Sequence, residues 1–394
     1  MNPIKMSIVL HASVLSGARR ASTIALLLCV TVLSGCAWLG WGGSDKKPAV
    51  LPAIAGVNAA TVNWSASVGK SGGYLFTPGF GNKLVYAAGR DGSVYALSEE
   101  GGRVVTRLDA KSVLTGGVGV NDDTVVVGSG KGEIIALDSA GRSLWKTSVS
   151  GEVLAPPMVV PGNVIVRTAD GRIVALNRID GKRKWVFQRA APALTLRTNA
   201  SVLVNRGVIY AGYPGGKVIA IELDSGKPIW ETTISVARGA TELERIADVS
   251  GLPVLDDTRI CAAVYQGRTG CVETLNGNVL WSREISSADG VAIDAKHVYV
   301  ADTAGNVFAL DKTNGATVWK LEKLQLRDPG TPIVVKGKIL IGDKDGLVHV
   351  MSPENGALIG RVPTDGSRVI SLSANGDRII AQTDKGGVFS IAVK

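Results

Sequence analysis

The chain has 394 residues, of which 49 are glycine, 4 are cysteine and 3 are histidine. Glycine at this frequency, without a collagen period, indicates many turns and therefore many short strands. So few cysteines exclude a disulfide-framework protein, and a hydrophobic share of 45% excludes general disorder. The net charge is +9, but the basic residues are interleaved with acidic ones rather than forming a stripe, so we expect no nucleic-acid partner.

Residues 1–35 have the organisation of an export signal. Arg19-Arg20 closes a positively charged segment, the apolar run from Ala21 to Leu33 follows, and small residues come next. The run is too short to span a membrane, which takes about 20 apolar residues. We therefore predict a signal peptide over residues 1–35.

Leu33-Ser34-Gly35-Cys36 resembles the lipobox of bacterial lipoprotein signal peptides. The resemblance implies that the Cys36 thiol carries a diacylglycerol and that its freed amine can take a third chain, which together give stable anchoring. In these lipoproteins an Asp after the cysteine usually retains the protein at the inner membrane. Ala37 stands there instead, which implies the periplasmic face of the outer membrane. The alternative is a chance cysteine beside an ordinary signal peptide.

Residues 36–57 contain Gly, Pro, Ser and Lys without periodicity, so we predict a lipidated, flexible tether there. Trp38 and Trp41 lie within this segment. Amphipathic indoles favour the bilayer interface, so the two side chains could help to seat the anchor. The alternative is that both tryptophans are incidental.

A self-similar unit dominates the chain from about residue 60 onward. Its clearest copy is Ala309-Leu310-Asp311, followed by Gly315 and then by Trp319. The first position of the triplet recurs at intervals of 38 to 51 residues, a spacing typical of repeat architectures. The recurring positions are Ala96, Ala136, Ala175, Ala220, Cys271, Ala309 and Val350. A final partial unit, Val388 to Ile391, ends the chain before its Trp strand, and the missing strand matches Val62 to Ala66 at the other terminus.

Each unit carries about four short segments with strand character, separated by turn signals such as Asp302-Thr303-Ala304-Gly305. The inner segments are apolar on both faces, and a sheet of this kind is stable only when neighbouring sheets cover it. The pattern resembles the PQQ-type propeller repeat. We therefore predict an all-β fold over residues 58–394: an eight-bladed β-propeller of four-stranded antiparallel blades, with the last blade closed by the N-terminal strand. We expect each Trp to pack against the next unit. A parallel β-helix is the alternative, but its repeats are shorter.

The PQQ-type repeat is shared with quinoprotein dehydrogenases, so an enzyme has to be considered. Those enzymes resemble one another in an adjacent Cys-Cys pair, a catalytic Asp, and Asp, Asn or Glu ligands for calcium. In this sequence no two cysteines are adjacent, and His297 and His349 stand alone in strand-like segments. We find no motif of a metal or nucleophile site. We predict no catalytic residue, no metal and no cofactor, and we keep a quinoprotein dehydrogenase as the alternative.

Cys261 and Cys271 are expected to face each other across a hairpin. In the following unit, Tyr299 and Ala309 hold the equivalent positions, and a turn near residue 304 places those two opposite each other. Opposed Cβ atoms in an antiparallel pair lie about 4.5–5.5 Å apart, near disulfide range, and an exported protein meets an oxidising compartment. We predict a structural disulfide; two buried free thiols are the alternative.

Two segments interrupt the rhythm of the repeat, one over residues 190–197 and one over residues 235–249. Insertions in a ring of repeats usually form loops on one face, often the binding face. The second segment could form one or two helical turns. Ordinary loops without a partner are the alternative.

The two segments contain Ala193-Leu194-Thr195-Leu196-Arg197 and the run from Thr241 to Val249. Together with the lipobox, the tether and the eight units, they resemble the BamB family of lipoproteins from the β-barrel assembly machinery of Gram-negative bacteria. The resemblance implies a non-enzymatic subunit that binds the POTRA domains of BamA and works with the other subunits of the machinery. It implies partner-binding residues on both loops, which we take as Leu194, Leu196, Arg197, Arg245 and Asp248.

The exposed strands of a propeller could also hold unfolded outer membrane β-barrel clients by β-augmentation. A periplasmic ligand-binding propeller unrelated to barrel assembly remains a rival interpretation of the same repeat.

Overall fold

The computed structural model of the chain describes residues 47–54, 58–190, 192 and 194–394. The predicted signal peptide, the lipidation site Cys36 and most of the predicted tether lie outside these residues. Over the residues that are described, no helix is long and apolar enough to cross a membrane.

Within the described residues, thirty-two strands form eight four-stranded sheets, and each sheet is one blade. The innermost strands are β2 (Gly79–Gly81), β6 (Leu114–Asn121), β10 (Met158–Val160), β14 (Leu203–Asn205), β18 (Val254–Leu255), β22 (Val291–Ile293), β26 (Ile333–Val335) and β30 (Val369–Asn375). The second strands are β3 (Leu84–Ala88), β7 (Thr124–Ser129), β11 (Asn163–Arg167), β15 (Val208–Tyr213), β19 (Arg259–Ala263), β23 (His297–Ala301), β27 (Lys338–Gly342) and β31 (Arg378–Thr383). The third strands are β4 (Ser93–Ser98), β8 (Glu133–Asp138), β12 (Ile173–Asn177), β16 (Lys217–Glu222), β20 (Thr269–Glu273), β24 (Val307–Asp311), β28 (Leu347–Met351) and β32 (Gly387–Val393). The outer strands are β5 (Val104–Asp109), β9 (Ser143–Ser148), β13 (Arg183–Phe187), β17 (Pro228–Thr233), β21 (Val279–Arg283), β25 (Thr317–Leu321), β29 (Leu358–Pro363) and β1 (Ala60–Ser67).

The N-terminal strand β1 completes the eighth blade, which has the order β1-β32-β31-β30. Its antiparallel register begins with Ala60 opposite Val393. Side chains of blade eight then reach blade one, where Gln382 donates to the Ala88 carbonyl at 2.9 Å and Ser371 donates to the Phe76 carbonyl at 2.7 Å. The predicted eight-bladed, four-stranded propeller closed by the N-terminal strand is confirmed.

The hydrophobic core lies between the blades rather than inside any one of them. Val126 and Ile134 of blade two, for example, belong to the same buried cluster as Val164 and Val174 of blade three. All six residues of β7 are buried, which is possible only when both faces of its sheet are covered. Radial packing of neighbouring sheets therefore supplies the burial that a single blade lacks.

Six of the eight junctions between blades contain a tryptophan that joins one blade to the next. In each case the indole N–H donates to a backbone carbonyl of the following blade at 2.8–3.0 Å. The pairs are Trp64 with Glu99, Trp145 with Arg178, Trp185 with Leu223, Trp230 with Thr274, Trp281 with Lys312, and Trp319 with Pro353. The expectation that each Trp packs against the next unit is confirmed.

The glycine of the repeat provides the surface on which the indole lies. Gly315 has φ of +72°, and a Cβ placed on it would lie 2.5 Å from a ring carbon of Trp281. Glycine is therefore required at this position for two reasons, the left-handed backbone and the close approach of the ring.

Blade seven has Gly360 where six of the blades carry Trp, and blade one has Thr106 there. The following blade takes its outer strand, β1, from the N-terminal end of the propeller, and the residues just before β1 lie beside Gly360. A Cβ on Gly360 would lie 2.8 Å from the Asn58 side-chain oxygen. Asn58 pairs with both the N–H and the carbonyl of Arg361, at 3.0 and 2.7 Å. The closing segment therefore occupies the space that an indole would need.

Residues 49–54, within the predicted tether, lie against blades six and seven. Arg327 donates from Nε and Nη2 to the Ala49 carbonyl at 3.2 and 3.1 Å, and Arg361 donates to the Pro52 carbonyl at 3.0 Å. Leu51 packs against the apolar cluster shared by these blades. The described end of the tether is thus docked on the propeller, a feature that its composition does not indicate.

Candidate partner-binding face

The long loops meet at one end of the propeller. In an antiparallel blade, the turn between the second and third strands lies at the same end as the connection from the outer strand to the next blade. The two segments that interrupt the repeat are connections of this second kind, residues 188–202 between β13 and β14 and residues 234–253 between β17 and β18. We call these the first loop and the second loop.

Asp248 of the second loop holds the two loops together. Its side chain is 1% exposed, and its Oδ2 accepts the backbone N–H of Leu196 in the first loop at 2.6 Å. Its Oδ1 accepts the N–H of Gly215, from the turn between β15 and β16, at 3.2 Å. The structure therefore brings two of the predicted partner-binding residues into contact with each other, with Asp248 facing inward.

Arg197, the next residue of the first loop, is half exposed, with 56% of its side-chain area accessible. Its Nε donates to Glu152 at 2.9 Å, and its Nη2 donates to the other carboxylate oxygen of Glu152. The guanidinium also lies over the ring of Tyr74, with its carbon 5.4 Å from the ring centre. The hydrogen bonds to Glu152 raise the pKa of Arg197 further, so its charge is permanent.

The first loop also presents apolar surface. Leu194 is 44% exposed, whereas Leu196 is half-buried because its backbone is drawn toward Asp248. On the second loop, Leu243 and Val236 are exposed at 67% and 73%. Sequence reasoning missed Leu243 and Val236, although their position inside an insertion was a usable signal.

Arg245 is engaged with its own loop. It donates to the carbonyls of Gly239 and Ala240 at 3.1 and 3.2 Å, and to Glu242 at 3.2 Å. The same loop contains one helical turn, in which the Arg245 N–H donates to the Thr241 carbonyl at 3.2 Å.

A capping box begins this turn. The Glu244 carboxylate accepts the N–H groups of Ala240 and Thr241 at 2.8 and 3.0 Å, and the Thr241 hydroxyl accepts the N–H of Glu244 at 3.3 Å. These backbone hydrogen bonds lower the pKa of Glu244. The turn is therefore locally stabilised, and it presents Leu243 on a fixed backbone.

The loops surround the mouth of the central channel, a cavity of about 370 Å³. Asp289, Asp328 and Arg368 line it, and Arg368 pairs with Asp328. Burial, reinforced by the charge of Asp328, raises the pKa of Asp289 to about 6. Among the described residues, no group of His, Cys, Asp and Glu side chains is arranged to hold a metal ion.

The remaining residues singled out by the sequence lie within the blades. Cys261 and Cys271 are opposite each other in the register of β19 and β20 and are joined by a disulfide, with their Cα atoms 4.0 Å apart. His349 is fully buried, with Nε2 2.9 Å from Asp343, and His297 lies 3.1 Å from the Tyr299 hydroxyl. Each of these contacts lies within a single blade.

The fold and the repeat define a β-propeller of the PQQ type that carries an elaborated loop face. A family model described as outer membrane protein assembly factor BamB matches residues 90–321. The chain is 38% identical to the outer membrane protein assembly factor BamB of Nitrosomonas eutropha, over 95% of this chain and 96% of that protein. The crystal structure of BamB from Moraxella catarrhalis is similar at a TM-score of 0.79 and 27% identity, covering 84% of this chain and 99% of that chain. The chain therefore belongs to the BamB family of outer membrane protein assembly factors, as the sequence resemblance indicated.

The fold is also shared with an enzyme. A quinohemoprotein alcohol dehydrogenase from Comamonas testosteroni is similar at a TM-score of 0.68 and 15% identity, over 85% of this chain and 76% of that chain. At this identity the similarity shows the propeller fold alone.

Proposed function

We propose that this protein is a non-enzymatic subunit of the β-barrel assembly machinery that binds the POTRA domains of BamA through its first and second loops. The observation that carries the proposal is the Asp248 clamp, because it holds the backbone of Leu196, which lies between the exposed Leu194 and Arg197. A loop that is ordered before binding loses less conformational entropy when the partner arrives.

The two exposed side chains have complementary tasks. Leu194 supplies apolar area that a partner can cover, and Arg197, whose Nε and Nη2 pair with Glu152, supplies a permanent positive charge that attracts a carboxylate of the partner. Arginines of this kind are frequent hot spots, whose truncation costs about 2 kcal/mol or more of binding free energy. Such a loss corresponds to a roughly 30-fold weaker complex.

The proposed anchor is the acylated Cys36, which would hold the propeller at the periplasmic face of the outer membrane. Because Ala49 is docked on Arg327, in the connection between blades six and seven, the chain between Cys36 and that point can span at most about 45 Å. The proposed subunit therefore works close to the membrane, where the barrel-inserting partner resides.

A pull-down from solubilised outer membrane tests the proposal. We expect the wild type to capture BamA and other assembly subunits, and Arg197→Ala to capture them weakly or not at all while its unfolding transition is unchanged. Arg206→Ala is the matched control, because Arg206 is an exposed arginine whose ion pair with Asp257 lies at 3.2 Å on the surface. Equal capture by Arg197→Ala and Arg206→Ala would contradict the proposed site.

The enzymatic alternative has its own test. Quinoprotein dehydrogenases resemble one another in an adjacent cysteine pair, whereas Cys261 and Cys271 are separated by ten positions and joined across a hairpin. We expect no dye reduction by the purified protein after incubation with pyrroloquinoline quinone, calcium and an alcohol. Turnover above that of a heat-treated sample would favour the enzyme.

Binding of unfolded barrel clients is a second candidate function. The outer strands are sheet edges, and several carry exposed apolar residues, such as Val104 and Val105 on β5 and Leu280 on β21. An extended segment of a client could add to such an edge by main-chain hydrogen bonds. Photo-crosslinking from Val105 to newly exported barrel proteins would support this role, and crosslinks confined to assembly subunits would argue against it.

A further inference from the structure

One carboxylate in the central channel has a fixed backbone and no partner for its side chain. The hydroxyl of Ser250 donates to the Ala288 carbonyl at 2.7 Å, and the N–H of Gly290 donates to the Thr331 hydroxyl at 2.9 Å. These two hydrogen bonds hold the chain on either side of Asp289, which lines the channel cavity. Over the residues that the structure describes, no donor bonds to the Asp289 carboxylate, and no basic group lies within ion-pair distance of it.

The backbone of Asp289 is also packed closely against the second loop. A Cβ placed on Gly251 would lie 2.3 Å from the carbonyl carbon of Asp289 and 2.2 Å from the nitrogen of Gly290, so only glycine fits there. The second loop therefore touches the connection between β21 and β22, residues 284–290, at this point. This contact fixes the place at which the Asp289 side chain enters the channel.

The charges around the channel mouth leave Asp289 without a counter-ion. Two guanidinium groups line the cavity, those of Arg197 and Arg368. Arg197 pairs with Glu152, and both terminal nitrogens of Arg368 donate to Asp328. Three carboxylates thus share two guanidinium groups in this part of the described chain, and the unpaired negative charge lies on Asp289.

An unpaired carboxylate is unfavourable in these surroundings. Burial, reinforced by the charge of Asp328, raises the pKa of Asp289 to about 6, so the group is still mainly ionised at pH 7.5. Charged groups that are shielded from water are normally paired or hydrogen-bonded. A carboxylate on a fixed backbone, facing a cavity without a partner, is typical of a site that receives its counter-ion from a ligand.

Apolar side chains line much of the same cavity. They are those of Leu75, Leu252, Ile370 and Leu372. The cavity volume of about 370 Å³ is sufficient for a small ligand or for one long side chain. A ligand that fits this wall and this charge combines an aliphatic stem with a positively charged end.

We propose that the mouth of the central channel binds an organic cation on an aliphatic stem, with the Asp289 carboxylate as its counter-ion and the four apolar side chains around its stem. Two sources offer this chemistry, a free alkylamine and the side chain of a lysine or arginine of a bound protein. A metal ion fits less well, because no set of metal-ligating side chains is assembled among the described residues. The site is defined by the channel alone, so it does not depend on the proposed function.

Binding of n-hexylamine to the purified protein tests the site. Its ammonium group should pair with Asp289, and its six-carbon stem should cover the apolar wall. We expect saturable binding in a calorimetric titration at pH 7.5, and binding weaker by about tenfold or more in Asp289→Asn, which keeps the shape and removes the charge. Asp257→Asn is the matched control, because Asp257 is an exposed acid whose partner is Arg206 at 3.2 Å, and it should bind like the wild type.

The neutral analogue 1-hexanol separates the charge from the stem. It has the same stem without the ammonium group, so we expect the wild type to bind it at least tenfold more weakly than hexylamine. This comparison needs no variant and remains decisive if Asp289→Asn is unstable. Equal binding of the two compounds, equal binding of hexylamine by the wild type and Asp289→Asn, or no saturable binding of hexylamine would each overturn the site.

Competition with the purified periplasmic domain of BamA identifies the source of the cation. If saturating hexylamine and Asp289→Asn both weaken binding of this domain by about tenfold, the cation is a side chain of the partner. If the domain binds equally well with and without hexylamine, the cation is a free amine. If the domain does not bind at all, the proposed function is wrong, and the cation site still stands or falls with the comparison of hexylamine and hexanol.

Discussion

The carboxylate of Asp248 accepts a hydrogen bond from the backbone N–H of Leu196 at 2.6 Å, across 52 positions of sequence. Its second oxygen accepts the N–H of Gly215 at 3.2 Å. Because Asp248 is 1% exposed, it acts on the loop face through the backbone of the first loop. A residue that the sequence resemblance presents as a contact can thus support binding by holding another contact in place.

Substitution of Asp248 by Ala should release the first loop. The N–H groups of Leu196 and Gly215 lose their acceptor, and a buried unpaired donor costs about 1–3 kcal/mol. We expect faster hydrogen exchange at the Leu196 amide, lower stability toward urea, and weaker capture of assembly subunits. Asp257→Ala, at an exposed site paired with Arg206, is the control and should change none of the three measurements. An unchanged exchange rate at Leu196 would show that the clamp is not formed in solution.

The architecture was predictable from the sequence because every blade repeats the same sequence pattern and the same contacts with its neighbours. Trp281 and its acceptor Lys312 lie in successive copies of the unit, so their contact follows from the offset between copies. The ring closure was predictable for the same reason, since the last copy lacks an outer strand and Val62 to Ala66 supplies one.

The side-chain pairing at the loop face was not predictable in this way. Glu152 and Arg197 lie in successive connections between blades, and the repeat specifies the strands but not which side chains of neighbouring connections pair. Their contact depends on the path of two irregular loops that the repeat does not specify. The docking of Ala49 on Arg327 is similar, because the two residues are 278 positions apart and the segment around Ala49 has the composition of a tether.

Two glycines provide a test of the joint between blades. Gly315 and Gly337 both have left-handed backbones, with φ of +72° and +65°, but a Cβ would strike Trp281 only at Gly315 and would meet nothing within 4 Å at Gly337. We expect Gly337→Ala to cost about 1–2 kcal/mol for the backbone alone. Gly315→Ala should cost about 1–3 kcal/mol more, because the indole must move. Urea unfolding measures both, and equal losses would contradict the role of the Trp–Gly contact.

The disulfide between Cys261 and Cys271 should stabilise blade five. It closes a loop of sequence separation 10, for which the restriction of the unfolded chain corresponds to about 2–3 kcal/mol. We expect the unfolding free energy measured in urea to be lower by this amount when reductant is present. Thiol titration of the unfolded, unreduced protein should find these two cysteines unreactive, and two reactive thiols would contradict the bridge.

The docked N-terminal segment should depend on Arg327. In Arg327→Gln the two hydrogen bonds to the Ala49 carbonyl and the ion pair with Asp345 at 2.9 Å are weakened or lost. We expect faster proteolysis between residues 47 and 54 with little change in the cleavage of the blades. Arg206→Gln is the control and should have the cleavage pattern of the wild type. If Arg327→Gln also has the wild-type pattern, the segment is held by other contacts.

The raised pKa of Asp289 should make the stability of the protein fall as the pH rises through the acidic range. Burial raises the pKa of this carboxyl to about 6 in the folded state, above its ordinary value of 3.8. Between these two values the unfolded chain has lost the proton while the folded protein still binds it, so the folded state is progressively disfavoured as the pH rises from about 4 to 6. Asp289→Asn removes this effect, and we expect its stability relative to the wild type to rise through that interval and then to level off.

Asp311 provides the control of opposite sign. Its hydrogen bond with Thr313 lowers the pKa of Asp311, so its contribution is present above the unfolded value and is lost as the pH falls through the lower folded one. Asp311→Asn should therefore become less stable than the wild type as the pH rises through the acidic range. Urea titrations at a series of pH values would measure both differences. A difference for Asp289→Asn that stays flat between pH 4 and 6 would mean that the carboxyl at the channel mouth is hydrated and titrates normally.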